Sequence, residues 1–265
     1  MGIKMIVSDL DGTIVNSHED QYEVSPKLIE EINEFQKNGR IFTIATGRPN
    51  ETTIGVIKKL GIKSPYIVHN GAEIIDRHGK QIYAHTFSLK SWVEFLEGLQ
   101  KIGASVVFSH DGQVFCLKHT ESIRAYEKKE LIECQVADKA LLDSKLEVNK
   151  ILIIGDIEKY KERWNQLDGD LKNQFRYVVS EDNYMEIVAK HVSKGNALKR
   201  LKEYLGLRDE EVVTIGNHLN DKELLEEAHV GCAVANAVDD LKTISEFVTE
   251  GKYEEGVIEV IKKFK

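Results

Sequence analysis

Cysteine, proline and surplus positive charge are all scarce in this chain of 265 residues. Cys116, Cys134 and Cys232 are odd in number, widely scattered and free of any C-x-x-C pair, which excludes a disulfide framework and a structural zinc site and fits a reducing cytoplasm. With only 3 prolines there is no Pro-rich linker, and no repeat or low-complexity segment stands in for one. Lys and Arg total 36 against 44 Asp and Glu, a formal net charge of −8, so general binding to nucleic acid or to an anionic membrane is not expected. No stretch approaches the ~18 to 20 apolar residues of a membrane span. The run from Met1 to Ser8 is too short, and too soon followed by Asp9, to read as a secretory segment. Without an export signal, the glycosylation pattern Asn50-Glu51-Thr52 carries no weight. What is present is a globular balance, 42% hydrophobic and 30% charged, with length enough for two domains.

The order of elements is legible from periodicity. Ile3 to Ser8 is a short apolar run of the kind that makes a buried strand. Ser25 then offers an N-cap and Pro26 a first helical position. Leu28, Ile29, Ile32 and Phe35 share one helical face until Gly39 stops the element. Ile41 to Ala45, a helix over Pro49 to Leu60, and Tyr66 to Val68 continue a β-α-β-α-β series, which predicts a parallel sheet with helices packed on it. The rhythm changes at the hairpin expected over Glu73 to Tyr83. Beyond it, the helical stripe of Trp92, Phe95, Leu96, Leu99 and Ile102, a second hairpin around His110-Asp111-Gly112 and a strand Ile151 to Ile154 read as an α+β insert. Alternation resumes with a helix from Lys194, strands Val212 to Ile215 and Val230 to Val234, a helix from Asp221 and a last helix from Gly256. The expected organisation is an α/β, Rossmann-like parallel-sheet core of residues 1–83 and 187–265, interrupted by an α+β domain of residues 84–186.

Ligands of open parallel sheets bind beyond the carboxyl ends of the strands, and four polar segments lie at such positions. Asp9-Leu10-Asp11-Gly12-Thr13 follows the first strand, so that two carboxylates and the backbone N–H groups between them, including that of Leu10, can aim at one point; this suits a metal and a phosphate. A carboxylate there can attack phosphorus while its neighbour serves as acid and then base. The same pattern also occurs in calcium loops and in plain solvated turns. Thr46-Gly47-Arg48 ends the second strand with a hydroxyl and an unhindered amide. Lys194 stands beside a helix N-terminus, where an ammonium would offset phosphate charge, although a lone helical lysine is usually a surface residue. Gly216-Asn217-His218-Leu219-Asn220-Asp221 brings several oxygen donors to a strand-to-helix turn that also reads as a helix cap.

Taken in order, D-x-D-G-T, T-G-R, an isolated Lys and G-x-x-x-N-D resemble the haloacid dehalogenase-like phosphatases. Asn70-Gly71-Ala72, Asn236-Ala237, Glu255-Gly256-Val257 and the long insert are similar to the Cof-type group with its large α/β cap. The resemblance implies a cytoplasmic, Mg²⁺-dependent phosphatase of small phosphomonoesters, sugar phosphates foremost, that works as a monomer or small homo-oligomer without nucleic-acid or membrane partners. It implies Asp9 as nucleophile and metal ligand, and Asp11 as acid and base with its carbonyl on the metal. Leu10, Thr46, Gly47, Lys194 and Asn220 would hold the phosphoryl oxygens, and Asn217 and Asp221 would complete the metal site. The chain departs from the family's usual G-D-x-x-N-D at Asn217, a neutral residue, which predicts weaker Mg²⁺ binding, with direct ligation by Asp221 as one compensation. A phosphotransferase or mutase using the same aspartyl-phosphate, and a non-catalytic phosphate-binding protein with an impaired metal site, are the rival readings. The histidines in and near the insert, His69, His78, His85 and His110, match no zinc spacing, with His110 the one best placed on a cap hairpin to face a site. Trp92 and Phe95 read as core, not as a sugar platform.

Overall fold

The N-terminal apolar run becomes the middle of a parallel sheet because both of its faces are covered. In the computed structural model, which describes residues 2–16, 24–37, 39–167 and 169–265, the chain divides into two compact units, Met1–Tyr83 with Ser193–Lys265, and Ala84–Val192. Met1, the first residue of the expected core, lies outside the described residues.

In the first unit five parallel strands stand in the order Phe247–Val248, Val230–Ala233, Val212–Gly216, Met5–Ser8, Ile41–Ile44. Alternation along Met5–Ser8 sends Ile6 to one face and Met5 and Val7 to the other. Ile6 joins Leu28, Ile32 and Phe35 of the helix Pro26–Lys37 and Val257, Val260 and Ile261 of the helix Tyr253–Phe264. Met5 and Val7 join Ala197, Leu198 and Leu201 of the helix Lys194–Leu205 and Leu224. A three-layer α/β arrangement results, and the winding reverses between Met5–Ser8 and Val212–Gly216, the place where such sheets bind ligands. Tyr66–Val68 continues the edge through a single bridge between Ala45 and Ile67 and pairs antiparallel with Glu73–Ile75, which in turn neighbours Gln81–Ala84. The last helix begins at Tyr253, three positions ahead of the expected start at Gly256. Gly256 lies inside it, and the close approach there leaves no space for a side chain: a Cβ would sit 2.6 Å from both Gly251 O and Thr249 Oγ1.

The second unit is built on a six-stranded sheet in the order Phe175–Glu181, Tyr184–Ala189, Ile151–Ile154, Ser105–His110, Gln113–Cys116, Cys134–Val136, antiparallel except for the last pair. The units divide at Val192/Ser193 and not at 186/187, because Tyr184–Ala189 pairs on both sides within this sheet. Trp92 is fully buried and stacks on Trp164 with centroids 6.0 Å apart, Phe95 packs against both, and Leu96 and Leu99 are buried, so these are core, whereas Ile102 at the end of the expected stripe is exposed. His110 contacts Glu147 O through Nδ1 at 3.0 Å, and His85 pairs with His191. No helix among the described residues is long and apolar enough to cross a membrane.

Candidate active site

The four polar segments converge at the winding reversal of the first unit. Asp9 leaves the strand Met5–Ser8 with its N–H still donating to Ile215 O at 2.8 Å, which fixes the backbone before the turn begins. The turn closes on itself: the N–H groups of Thr13, Ile14 and Val15 all reach Leu10 O, at 3.3, 2.9 and 3.0 Å, and Gly12 supplies the left-handed φ of 79° that the reversal demands. Leu10 itself is fully buried, an apolar anchor under the two carboxylates.

Asp9 is 4% exposed, and both carboxylate oxygens are engaged. Oδ1 accepts from Lys194 Nζ at 2.6 Å and Oδ2 accepts from Thr13 Oγ1 at 3.0 Å. Lys194 reaches it from the first turn of a helix capped by Ser193, whose Oγ accepts from Asn196 N. The same ammonium donates to Asp221 Oδ1 at 2.6 Å. Burial, and after it the Asp221 charge, push the Asp9 carboxyl up from 3.8 to about 7 against the pull of Lys194. Burial alone would lower the Lys194 pKa, but the Asp221 and Asp9 carboxylates outweigh it and hold the ammonium above its ordinary value.

Asp11 points to a different cation. Arg48, itself buried, grips it with a two-pronged contact, Nε to Oδ2 at 2.8 Å and Nη2 to Oδ1 at 2.5 Å. Sequence reasoning quoted Arg48 beside Thr46-Gly47 but assigned it nothing; only the sheet order sets it opposite Asp11. The segment 46–48 is laced to 67–70 by Thr46 N to Ile67 O (2.9 Å), His69 N to Arg48 O (2.9 Å) and Asn70 N to Thr46 O (3.0 Å), and Thr46 Oγ1 accepts from Arg48 N. Asn70, left-handed at φ 53°, presents Oδ1 to Asn220 Nδ2 at 3.2 Å beside Gly47. Gly71 lets this turn meet the Lys194 helix: a Cβ would fall 2.1 Å from Ser193 O. Thr46, Gly47, Lys194, Asn220, Asp9 and Asp11 are therefore gathered on one set of linked turns.

Asp221 does not present a free oxygen. Oδ1 accepts from Lys194, and Oδ2 accepts from the N–H groups of Asn217 (2.9 Å) and His218 (3.2 Å), so in this arrangement three hydrogen bonds compete with the direct ligation by Asp221 suggested as a compensation for Asn217. Asn217 stands closer to the nucleophile candidate. One terminal atom of its amide lies 3.0 Å from Asp9 Oδ2, 3.0 Å from Asp11 O and 2.9 Å from Thr13 Oγ1. A separation near 3.0 Å is the edge of an octahedron with bonds of about 2.1 Å, the Mg²⁺ value. With Oδ1 turned inward, Asp9 Oδ2, Asp11 O and Asn217 Oδ1 would suit a small hard cation in donor type and in these two spacings, while with nitrogen inward the same spacings are hydrogen bonds. Because one donor is an amide and another a backbone carbonyl, no group of three His, Cys, Asp or Glu marks this place among the described residues. Electrostatically, the carboxylates of Asp9, Asp11 and Asp221 face the Lys194 ammonium and the Arg48 guanidinium.

Asn236, quoted earlier only for its likeness, ties the site to the last helix: Nδ2 donates to Gly12 O at 2.8 Å and Oδ1 accepts from Tyr253 N at 3.0 Å.

Comparison with known proteins bears on the same residues. A sequence model of a family described as haloacid dehalogenase-like hydrolase matches residues 6–261. Phosphatase YwpJ of Bacillus subtilis (strain 168) is 28% identical over 287 aligned positions, covering 98% of this chain and 99% of that protein. A haloacid dehalogenase-like hydrolase from Bacteroides thetaiotaomicron has a similar structure, with a TM-score of 0.87 at 26% identity over 99% of this chain and 100% of that one. Another from B. subtilis gives a TM-score of 0.86 at 25% identity with the same coverage.

Proposed function

Because the chain belongs to the haloacid dehalogenase-like hydrolase family, we propose that it hydrolyses small phosphomonoesters in the cytoplasm, sugar phosphates foremost, through an aspartyl-phosphate on Asp9 and with Mg²⁺ bound. The observation that carries this reading is the Asp9 carboxylate, buried between Lys194 and Thr13 at the winding reversal, with the Arg48-held Asp11 two residues on. As an enzyme it falls among the phosphoric monoester hydrolases, the activity named for its relative YwpJ.

The chain's own residues account for most of the chemistry. The Asp9 carboxylate attacks phosphorus, a bond forms between its oxygen and phosphorus, and the bond from phosphorus to the leaving alkoxide breaks. Asp11, which must leave the Arg48 fork to carry a proton, gives that alkoxide the proton, then takes a proton from water as water attacks phosphorus and frees Asp9, so that the net products are alcohol and inorganic phosphate. Lys194, anchored by Asp221, keeps a full positive charge next to the transferring group. Thr46 Oγ1, the Gly47 and Leu10 amides and Asn220 Nδ2 are the donors for the equatorial oxygens. Asp9 Oδ2, the Asp11 carbonyl and Asn217 Oδ1 would hold the cation, with Asp221 supporting Lys194 and the Asn217 turn. The cation supplies charge neutralisation as oxygens crowd around phosphorus.

The test is release of inorganic phosphate from sugar phosphates, nucleotides, FMN and pyridoxal phosphate, with and without Mg²⁺. Release unaffected by a second sugar supports hydrolysis; release that appears only with an acceptor sugar points to phosphotransfer instead.

A further inference from the structure

The Asn217 side chain meets three oxygens, of which Asp9 Oδ2 and Asp11 O are ones a cation would also meet, and which of its two terminal atoms faces them decides what the site does when no cation is bound. The backbone on either side is pinned: Asn217 N donates to Asp221 Oδ2 at 2.9 Å and Asn217 O accepts from Val238 N at 2.9 Å. Opposite, Gly12 is held by Asn236 through its carbonyl and by Val15 through its N–H. The remaining freedom is rotation of the amide about its last bond, which exchanges oxygen and nitrogen with almost no change of shape.

With oxygen toward the site, Thr13 Oγ1 can donate to it, but the same oxygen then faces Asp9 Oδ2 and the Asp11 carbonyl at 3.0 Å with no proton between. Three oxygens at that spacing are at ease only around a positive charge. With nitrogen toward the site, its two protons are shared among Asp9 Oδ2, Asp11 O and Thr13 Oγ1, and the Thr13 hydroxyl is released to donate to Asp9 Oδ2 alone, at 3.0 Å. Each orientation therefore satisfies the cluster in one condition and not in the other.

We propose that Asn217 is a cation-exchanged amide: without metal its Nδ2 occupies the cation's side of Asp9 and Asp11 and holds both oxygens, and binding of a divalent cation turns the amide by half a revolution so that Oδ1 becomes a ligand. This rests on the reading of Asp9 Oδ2 and Asp11 O as the cation's ligands, and it assigns to Asn217 a second role that an aspartate cannot fill, since a carboxylate has no N–H to offer. The cation must displace internal hydrogen bonds to enter, so affinity is lower than in the Asn217→Asp variant. In return, the cation-free site is held together without depending on the metal.

The experiment uses the full chain and Mg²⁺ itself. In chelator, the side-chain ¹H–¹⁵N pair of Asn217, identified by its absence in Asn217→Ala, is expected to exchange slowly with solvent; saturating Mg²⁺ should move the pair and speed its exchange. Thermal unfolding in chelator gives an opposing-sign test. If the amide nitrogen bridges the oxygens, Asn217→Ala lowers the midpoint by about 4 °C or more. If the oxygen always faces inward, removing it relieves repulsion and the midpoint stays or rises, which overturns the proposal. Calorimetric Mg²⁺ titration completes the set: Asn217→Asp should bind at least about tenfold more tightly than the natural chain while unfolding earlier in chelator. Mg²⁺ binding to the natural chain with an unmoved amide pair sinks the exchange but leaves the cation reading intact. Failure of both forms to bind Mg²⁺ sinks the two together.

Discussion

Substituting Asp9 by Asn should stabilise the cation-free protein, and the size of the gain should follow pH. Burial and the neighbouring Asp221 charge raise the Asp9 carboxyl from 3.8 to about 7 in the folded chain. A carboxyl with a raised folded pKa binds more protons folded than unfolded between those two values, so stability falls as pH climbs from about 4 to about 7 and stays reduced above. At about 1.4 kcal/mol per pH unit over that range, the loss at pH 8 is on the order of a few kcal/mol. Asparagine keeps one oxygen to accept from Lys194 and turns its NH2 toward Thr13 Oγ1, which can accept in turn, but it cannot ionise, so Asp9→Asn resembles the protonated form at every pH. The expected result in chelator is a midpoint higher than the natural protein's by several degrees at pH 8, with the gap closing toward pH 4. Tryptophan fluorescence is the wrong probe, because Trp92 and Trp164 both lie in the unit 84–192; calorimetry or far-ultraviolet circular dichroism reports the unit that holds Asp9. Added Mg²⁺ should shrink the gap, since a cation favours the ionised carboxylate. An Asp9→Asn protein no more stable than the natural one at pH 8, or a gap that does not change with pH, would refute the reasoning.

Lys194→Met should do the reverse of Asp9→Asn: with the ammonium gone, the buried carboxylates of Asp9 and Asp221 face each other uncompensated, and a loss of about 3–5 kcal/mol is expected in urea unfolding. Arg48→Ala should lower kcat/KM for phosphate release by about 10- to 100-fold through loss of the hold on Asp11, and Arg48→Lys should recover little because an ammonium cannot repeat the two-pronged contact; pH–rate profiles of the three proteins check whether the affected group is the acid and base. Gly71→Ala should cost at least about 2 kcal/mol, as a Cβ 2.1 Å from Ser193 O must part the turn from the Lys194 helix at a φ of 96°, and calorimetric unfolding measures it.

The strand-helix order of the core was readable because its buried strands are short apolar runs bounded by turn residues, and because helices such as Pro26–Lys37 place Leu28, Ile32 and Phe35 at helical spacing. The second unit boundary was misplaced because Tyr184–Ala189 has the same buried-strand composition as a core strand, and only its partners Ile151–Ile154 and Phe175–Glu181 assign it. Within the site, residues carried by motifs, Asp9, Asp11, Lys194 and Asp221, could be named in advance. Their pairing could not. That Asp11 turns to Arg48 while Asp9 turns to Lys194, and that Asp221 is held by Lys194 and two backbone N–H groups, follows from strand order and helix placement that bring residues 37, 185 and 27 positions apart into contact. Asn236 had a likeness but no physics until its bonds to Gly12 and Tyr253 were seen.

The central claim is that Asp9 takes up the phosphoryl group of a small phosphomonoester. Inorganic phosphate release from a panel of sugar phosphates, with and without Mg²⁺, for the natural protein and for Asp9→Asn, tests it most directly. Mg²⁺-dependent release by the natural protein and background release by a folded Asp9→Asn protein are the expected results. Turnover by Asp9→Asn at the natural rate, or no release from any phosphomonoester by the natural protein at saturating Mg²⁺, would contradict it.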